Sequence, residues 1–414
     1  MASPVVFLRN LGLPGAATTG QTSTVGEPSL ATEGPDIFFT GNWYGSRSAD
    51  NGANWQFVDP FSALPPVDGG FCCDQTVILA AARNMPVWLL QYVNDNVQNT
   101  LRIAVHQNPG LDTPGWIFWD LTPAGVDPSF AGEWFDYNHA AVTDRFLYVG
   151  TNAFTIADDT FTRSLVFRIP LDSLEEGQPL SFEFFQSTDN FSLRCAQGAT
   201  DTMYIVSHNT LSQIRVFAWP ENSTSITATD VDVAPWLAGA YSAPGPGGQN
   251  WLSRCDPRIT GVWVANGQIG IMWTANRNPP ARPLPFVRVV RLDDTTKALI
   301  DEPDIFNGQF AFAYPDAYPN GHGEVGMTVF RGGGPHHPSH VVGFRQEPEA
   351  VWRLRVTRSG THTPNDGKWG DYLTCRRHAP DSDTWIAAGY TLQGGGDRQN
   401  IQPRYVHFER GPGS

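Results

Sequence analysis

What the chain lacks narrows its class. No uninterrupted apolar run reaches about 18 residues, so no membrane-spanning helix is expected. Charged residues are sparse, at 16%, and acidic ones dominate, giving a formal net charge of −14. General nucleic-acid binding needs a basic face and is not expected. An anionic substrate is still allowed, because local arginines can override an acidic mean field. There is no G-x-S-x-G element and no phosphate-binding loop. Helical periodicity is not sustained anywhere. Cysteine is scarce, at five residues: Cys72, Cys73, Cys195, Cys255 and Cys375. They have no zinc-site spacing, and their odd number leaves at least one unpaired within the chain. Cys72 and Cys73 read as buried packing. A bridge between Cys195 and Cys255, at the starts of inner strands in neighbouring repeats, is compatible with the pattern.

What is present is turn chemistry. The 414 residues include 41 Gly and 33 Pro, set with Asn and Asp between short runs of Val, Ile, Phe, Tyr and Trp. This predicts an all-β chain of many short strands, long enough for one large domain over residues 1–414. The stretch Trp134–Gly150 shows the plan. A polar and aromatic cluster opens a short apolar strand, Ala140 to Val142. A turn follows at Thr143-Asp144-Arg145, then a second strand, Phe146 to Thr151. The plan recurs seven times, at roughly 55–60 residues per repeat, between about 28 and 410. Such repeats predict a seven-bladed β-propeller. The last repeat has three clear strands, so the strand Pro4–Arg9 is expected to supply the fourth and close the ring, with 1–27 as closing strand and lead-in. A two-sheet sandwich is the alternative, disfavoured by the regular repeats.

Blade connectivity assigns faces. The starts of inner strands and the loops joining second to third strands should share one face. Candidates gathered there include Asn42, Trp43, Asp74, Asp95, Asp136, Tyr137, His139, Arg194, His208, Asp256, Arg258, Arg282, Asp316, Arg331, His336, His337, Trp369 and Asp371. His139 is the first catalytic candidate, because a histidine titrates near neutrality and can give or take a proton. Arg194, Arg254 and Arg258 place guanidiniums near strand starts, where they can clamp carboxylates. Pro335-His-His-Pro-Ser-His340 reads as a loop lining rather than a metal site. Asn190-Phe-Ser192 and Asn222-Ser-Thr224 fit the glycosylation acceptor pattern. The start, Met1-Ala-Ser-Pro, has neither the basic residues nor the apolar run of a signal peptide.

Ser48-Ala-Asp50-Asn-Gly52-Ala-Asn-Trp55 fits S-x-D-x-G-x-x-W, the Asp box of sialidase-like propellers. In it the Asp bonds turn N–H groups, Gly52 takes positive φ and Trp55 packs between sheets. It falls at a turn joining third and fourth strands, away from the candidate site, so its role is structural. Phe167-Arg-Ile-Pro170 looks like the sialidase arginine motif but follows the box instead of preceding it, and is read as coincidence. The box and repeat count resemble the sialidase-like superfamily of secreted carbohydrate-active propellers. Within it, Phe71-Cys-Cys-Asp-Gln75, Phe135-Asp-Tyr-Asn-His139 and Ser253-Arg-Cys-Asp256 look similar to the seven-bladed lyases that release rhamnose from glucuronate in gum arabic.

That resemblance implies a secreted enzyme that acts on an acidic polysaccharide or oligosaccharide by β-elimination; it is expected to be monomeric and to require no cofactor. By that resemblance His139 would be the proton-transfer residue; from the residues themselves, Arg194 or Arg258 could neutralise the carboxylate and Tyr137 or His208 could be the second donor, with His139, Arg194 and Tyr137 taken as catalytic. Trp43, Asp74, His208, Trp251, Arg254, Asp256, Arg258 and Arg331 would bind substrate. A structural calcium ion in the central channel is compatible with it. β-Elimination needs a base at C5, a group to neutralise the carboxylate, and an acid for the leaving oxygen. The rivals are a glycoside hydrolase with a pair among Asp74, Asp136, Asp256, Asp316 and Asp371, and a propeller lectin. The three arginines and Tyr/Glu pair of hydrolytic sialidases cannot be assembled from this sequence.

Overall fold

The computed structural model describes residues 3–106, 115–347 and 351–412. Seven four-stranded antiparallel sheets form a seven-bladed propeller. Blade one holds Ser29–Glu33, Asp36–Gly41, Tyr44–Ser48 and Gln56–Val58, from inner to outer strand. Blade two holds Phe71–Ala80, Met85–Tyr92, Leu101–His106 and Trp116–Leu121. Blade three is Glu133–Val142, Phe146–Thr155, Phe161–Pro170 and Glu183–Ser187. Blade four is Arg194–Cys195, Thr202–Thr210, Gln213–Pro220 and Thr227–Asp232. Blade five is Ile259–Ala265, Gln268–Ala275, Phe286–Asp293 and Leu299–Asp301. Blade six is Ala311–Pro319, Val325–Gly333, His336–Gln346 and Val351–Arg358.

Blade seven takes Thr374–Arg377, Trp385–Leu392 and Ile401–Arg410 from the C-terminal end of the chain. Its outer strand is Val5–Gly12, antiparallel to Ile401–Arg410, as expected for ring closure. Strands from the two ends of the chain therefore share one sheet, which fastens the ring at blade seven.

The strand interiors are Val-, Ile- and Phe-rich and fully buried, because each blade is covered on both faces by its neighbours. Outer strands are the exception. Gln56–Val58, Glu183–Ser187 and Thr227–Asp232 alternate or are largely exposed, which is why their apolar signal is weak in the sequence. Pro335–His340 does not form the expected loop. His336 begins the third strand of blade six, and His340 is fully buried with its ring nitrogens on Thr328 and Thr357.

The Ser48–Trp55 turn is tied by its own side chains. Asp50 accepts from the Asn54 N–H (2.8 Å) and Ser48 from the Gly52 N–H (2.8 Å). Gly52 has φ 84°. The Trp55 ring sits between Phe39 of blade one and Tyr405 of blade seven. Arg168, in Phe167–Pro170, lies over Trp219 and bonds Glu183 and the Pro220 and Ser223 carbonyls, so it joins blade three to blade four.

Candidate functional site

A polar cavity of about 1010 Å³ opens on the face that carries the inner-strand starts. Six segments build most of it. They are the lead-in Ser23–Glu27, the Asn42–Trp43 loop, the inner-strand starts at Cys73–Asp74 and Asp136–Tyr137, and the approaches to blades five and seven that carry Arg254, Arg258 and Asp371. Lys368 and Arg398 lie at the same cavity.

Local backbone irregularity aims these side chains. The inner strands of blades two, three and six each break register, between Phe71 and Gln75, Asp136 and His139, and Ala313 and Asp316. Such bulges change which face successive side chains take. Tyr137 and Tyr314 occupy left-handed conformations at two of them, with φ 59° and 57°. At the third, Cys72 and Cys73 are joined by a disulfide, so the bridge lies between neighbours in sequence and not between Cys195 and Cys255. Those two, with Cys375, are free and buried. Cys195 sits in the inner strand of blade four with its N–H on His139, while Cys255 lies beside Asp256 before blade five.

The chemistry centres on buried carboxyls. Glu27 is 3% exposed, accepts from Asn42 Nδ2 (2.7 Å) and hydrogen-bonds Asp74. Burial first, then the charges of Asp74 and Asp371, pushes its pKa well above the usual carboxylate range. Asp74 is also buried. Desolvation and the nearby Asp136 push its pKa up to about 7. The two carboxyls are thus a like-charge pair that holds a proton near neutrality.

Opposing them are two guanidiniums. Arg254 is 45% exposed at its side chain and reaches Asp371 at 3.1 Å. Arg258 is 13% exposed at its side chain, pairs with Asp256 (2.7 Å) and Asp371 (3.5 Å), and lies 3.8 Å from the centre of the Tyr137 ring. The Tyr137 hydroxyl is buried with no hydrogen-bond partner, and desolvation raises its pKa beyond the normal phenol range. Gln91 donates to Asp136 (2.9 Å).

Of the residues singled out in the sequence, Trp43, Asp74, Tyr137, Arg254 and Arg258 meet at this cavity, joined by Asn42, Asp136 and Asp371. Asp256 supports it from behind, holding Arg258. Others do not reach it. His139 falls on the far side of the blade-three bulge, buried against Gly150. Its Nε2 accepts from the Cys195 N–H (3.3 Å). Burial, then Arg194 and Arg376, lowers its pKa well below that of a free histidine, so it is neutral and enclosed.

Arg194 lies on Asp316 (3.5 Å), which also pairs with Arg376 (3.3 Å). His208 packs between Trp236 and Trp273 and bonds the Pro257 carbonyl (2.9 Å). Trp251 is fully buried against Trp369. Arg331 stands over Phe310 in a separate cavity of about 610 Å³. Asn190 is buried with its amide on the His208 carbonyl, so that acceptor sequence is closed to a glycan.

Glu27 is the residue that sequence reasoning missed. It sits in the Gly/Thr/Ser-rich lead-in with no strand pattern around it, at φ 42°. The channel is poorly suited to calcium, since Asp316 is held between two arginines. Among the described residues, the pocket carboxylates form no group of three whose ligand atoms lie within 4.8 Å of one another.

These features define the chain as a seven-bladed β-propeller with an acidic, arginine-lined pocket at one end of its axis. No protein-family model matches the chain, and no curated protein matches it. Solved structures of similar fold include a protein of unknown function from Dyadobacter fermentans, at 10% identity and TM-score 0.46, covering 98% of this chain and 99% of that one. A Trypanosoma rangeli sialidase in complex with the inhibitor DANA matches at 10% identity and TM-score 0.42, over 86% of this chain and 56% of that one. A Cellvibrio cellulosa alpha-L-arabinanase complexed with arabinohexaose matches at 9% identity and TM-score 0.40, over 81% of this chain and 96% of that one.

Proposed function

We propose that the chain is a carbohydrate-active enzyme that cleaves an acidic glycan, a rhamnosyl–glucuronate linkage in the first instance, by β-elimination. The observation that carries this reading is the Glu27–Asp74 pair, with a carboxyl poised near pH 7, in the same cavity as the half-exposed Arg254.

Arg254 and the protonated carboxyl of the pair neutralise the uronate carboxylate, which acidifies the C5 proton. The ionised carboxyl of the pair takes that proton. The developing enolate is stabilised by the same donors, worth on the order of 3 kcal/mol per well-placed donor. The unpartnered Tyr137 hydroxyl donates to the departing oxygen. Asp74 and Tyr137 thereby replace His139 as proton-transfer groups, because His139 has no access to the cavity. Secretion and a monomeric state belong to the same proposal.

A second reading is hydrolysis. Asp136 and Asp371 share the cavity with Asp74, and two carboxyls flanking a sugar are what glycoside hydrolysis requires. The hydrogen-bonded Glu27–Asp74 pair itself is too close to flank one, since even retaining pairs stand roughly 5–5.5 Å apart. Incubation with gum arabic separates the readings. Rising ultraviolet absorbance from an unsaturated uronate, lost in Asp74→Asn, supports elimination. Reducing sugar without absorbance supports hydrolysis. Neither signal, with retained binding on a glycan array, would make the propeller a lectin.

A further inference from the structure

We propose that His378, Asp381 and His407 form a binding site for a divalent transition metal of the zinc class, on the face opposite the pocket. His378 and Asp381 lie in the turn between the inner strand of blade seven and Trp385–Leu392. His407 lies in Ile401–Arg410, opposite Ile386. One ligand atom from each of the three comes within 4.8 Å of the others. The two imidazoles stack at 4.1 Å, only 11° from parallel.

Three observations favour a cation over simple packing. His378 is 8% exposed, yet its Nδ1 is buried without a hydrogen-bond partner. A buried polar atom left unpaired is destabilising, and a ligated ion gives it a partner. Second, Thr384 fixes the His407 ring. Its hydroxyl lies 3.2 Å from the Asp381 carbonyl and 2.7 Å from His407 Nε2; when it donates to the carbonyl, it accepts from His407 Nε2–H. That tautomer leaves the Nδ1 lone pair of His407 for a metal, the usual way an outer partner orients a histidine ligand.

Third, the carboxylate is exposed and can turn. A ligated ion needs nitrogen and oxygen atoms at roughly 2.0–2.2 Å, so on binding the exposed Asp381 and the stacked rings turn towards one common point. The loop is already anchored on blade one, through Ala379 N–H to Thr32 Oγ1 and Gly34 N–H to the Ala379 carbonyl. Two imidazoles and one carboxylate suit zinc, cobalt, nickel or copper and not calcium or magnesium.

The test uses the full chain without an affinity tag, stripped with chelator and titrated with cobalt(II), then zinc(II). One equivalent should bind, with a visible cobalt band that zinc displaces and a rise in Tm of several degrees. Asp381→Asn should weaken binding at least tenfold while leaving the metal-free Tm unchanged, since its side chain is exposed. His407→Gln should abolish the cobalt band. No cobalt band and no Tm rise in the folded chain would overturn the proposal. So would wild-type affinity in Asp381→Asn, which would assign the metal to other histidines such as His337 and His362, stacked at 6.0 Å in blade six and its exit loop.

Discussion

Glu27 and Asp74 share a hydrogen bond between carboxyl groups, one from the lead-in and one from the start of blade two, with water largely excluded from both. Neither segment would hold a charged pair alone. Blades seven, one and two close around them and raise both pKa values. The pocket therefore offers an acid and a base at the same pH, the condition for proton transfer near neutrality.

Asp74→Asn should separate function from stability. Activity should fall by at least 100-fold, and the limb near pH 7 in the kcat/KM profile should disappear. The sign for stability follows from the raised pKa. Between pH 4 and 7 the unfolded chain gives up this proton before the folded chain does, so rising pH favours unfolding across that window. The Asn variant lacks that penalty and should be more stable at pH 8, by roughly 1–3 kcal/mol. Urea unfolding at pH 4 and pH 8 measures it. A variant less stable at pH 8 than the parent would count against the buried pair.

Arg254 and Arg258 should behave differently. Arg254→Ala removes a half-exposed cation facing the cavity, and should raise KM for an anionic glycan by roughly tenfold or more with little change in Tm. Arg258→Ala leaves the largely enclosed Asp371 short of a partner and uncovers the Tyr137 ring. Breaking such a pair costs roughly 3–5 kcal/mol, so this variant should lose Tm as well as activity. Steady-state kinetics with calorimetry on both variants checks the contrast.

His139 should matter for acid stability. It is buried neutral, with its pKa held well below the ordinary value of 6.5. His208 and His407 sit at about 4 and His340 at about 3, each lowered mainly by burial. Below pH 6.5 the unfolded chain takes up protons that the folded chain refuses, so these sites lose stability as pH falls towards 4. His139→Gln should flatten the Tm decline between pH 6.5 and 4 and keep measurable glycan cleavage. Complete loss of cleavage in a folded His139→Gln would return the proton-transfer role to that residue.

Gly270 receives the Trp263 ring so closely that an added Cβ would lie 1.9 Å from it. The contact joins the first and second strands of blade five at a pair in register, Trp263 and Gly270. Gly270→Ala should destabilise by roughly 1–3 kcal/mol, the usual cost of overpacking. Thermal unfolding reads it directly. Gly267→Ala, with open space around its Cβ but φ 72°, is the control in which only backbone strain acts.

The sequence alone determined the strand count in outline, the seven repeats and the closing role of the N-terminal strand. Those features rest on local apolar runs and turn residues, which act within a few residues of themselves. It also placed Trp43, Asp74, Tyr137, Arg254 and Arg258 at one pocket, because blade connectivity sends every inner-strand start to the same face.

Tertiary structure decided the rest. Along Asp136–His139 simple alternation gives no reason to separate His139 from its neighbours. The register shift there, with Tyr137 at φ 59°, leaves Asp136 and Tyr137 at the cavity and encloses His139 beside Cys195. Glu27 has no pattern to announce it, and its chemistry exists only because Asp74, from another blade, is brought against it. A carboxyl pKa near 7 is a property of burial and of distance between charges, and both are set when the ring closes.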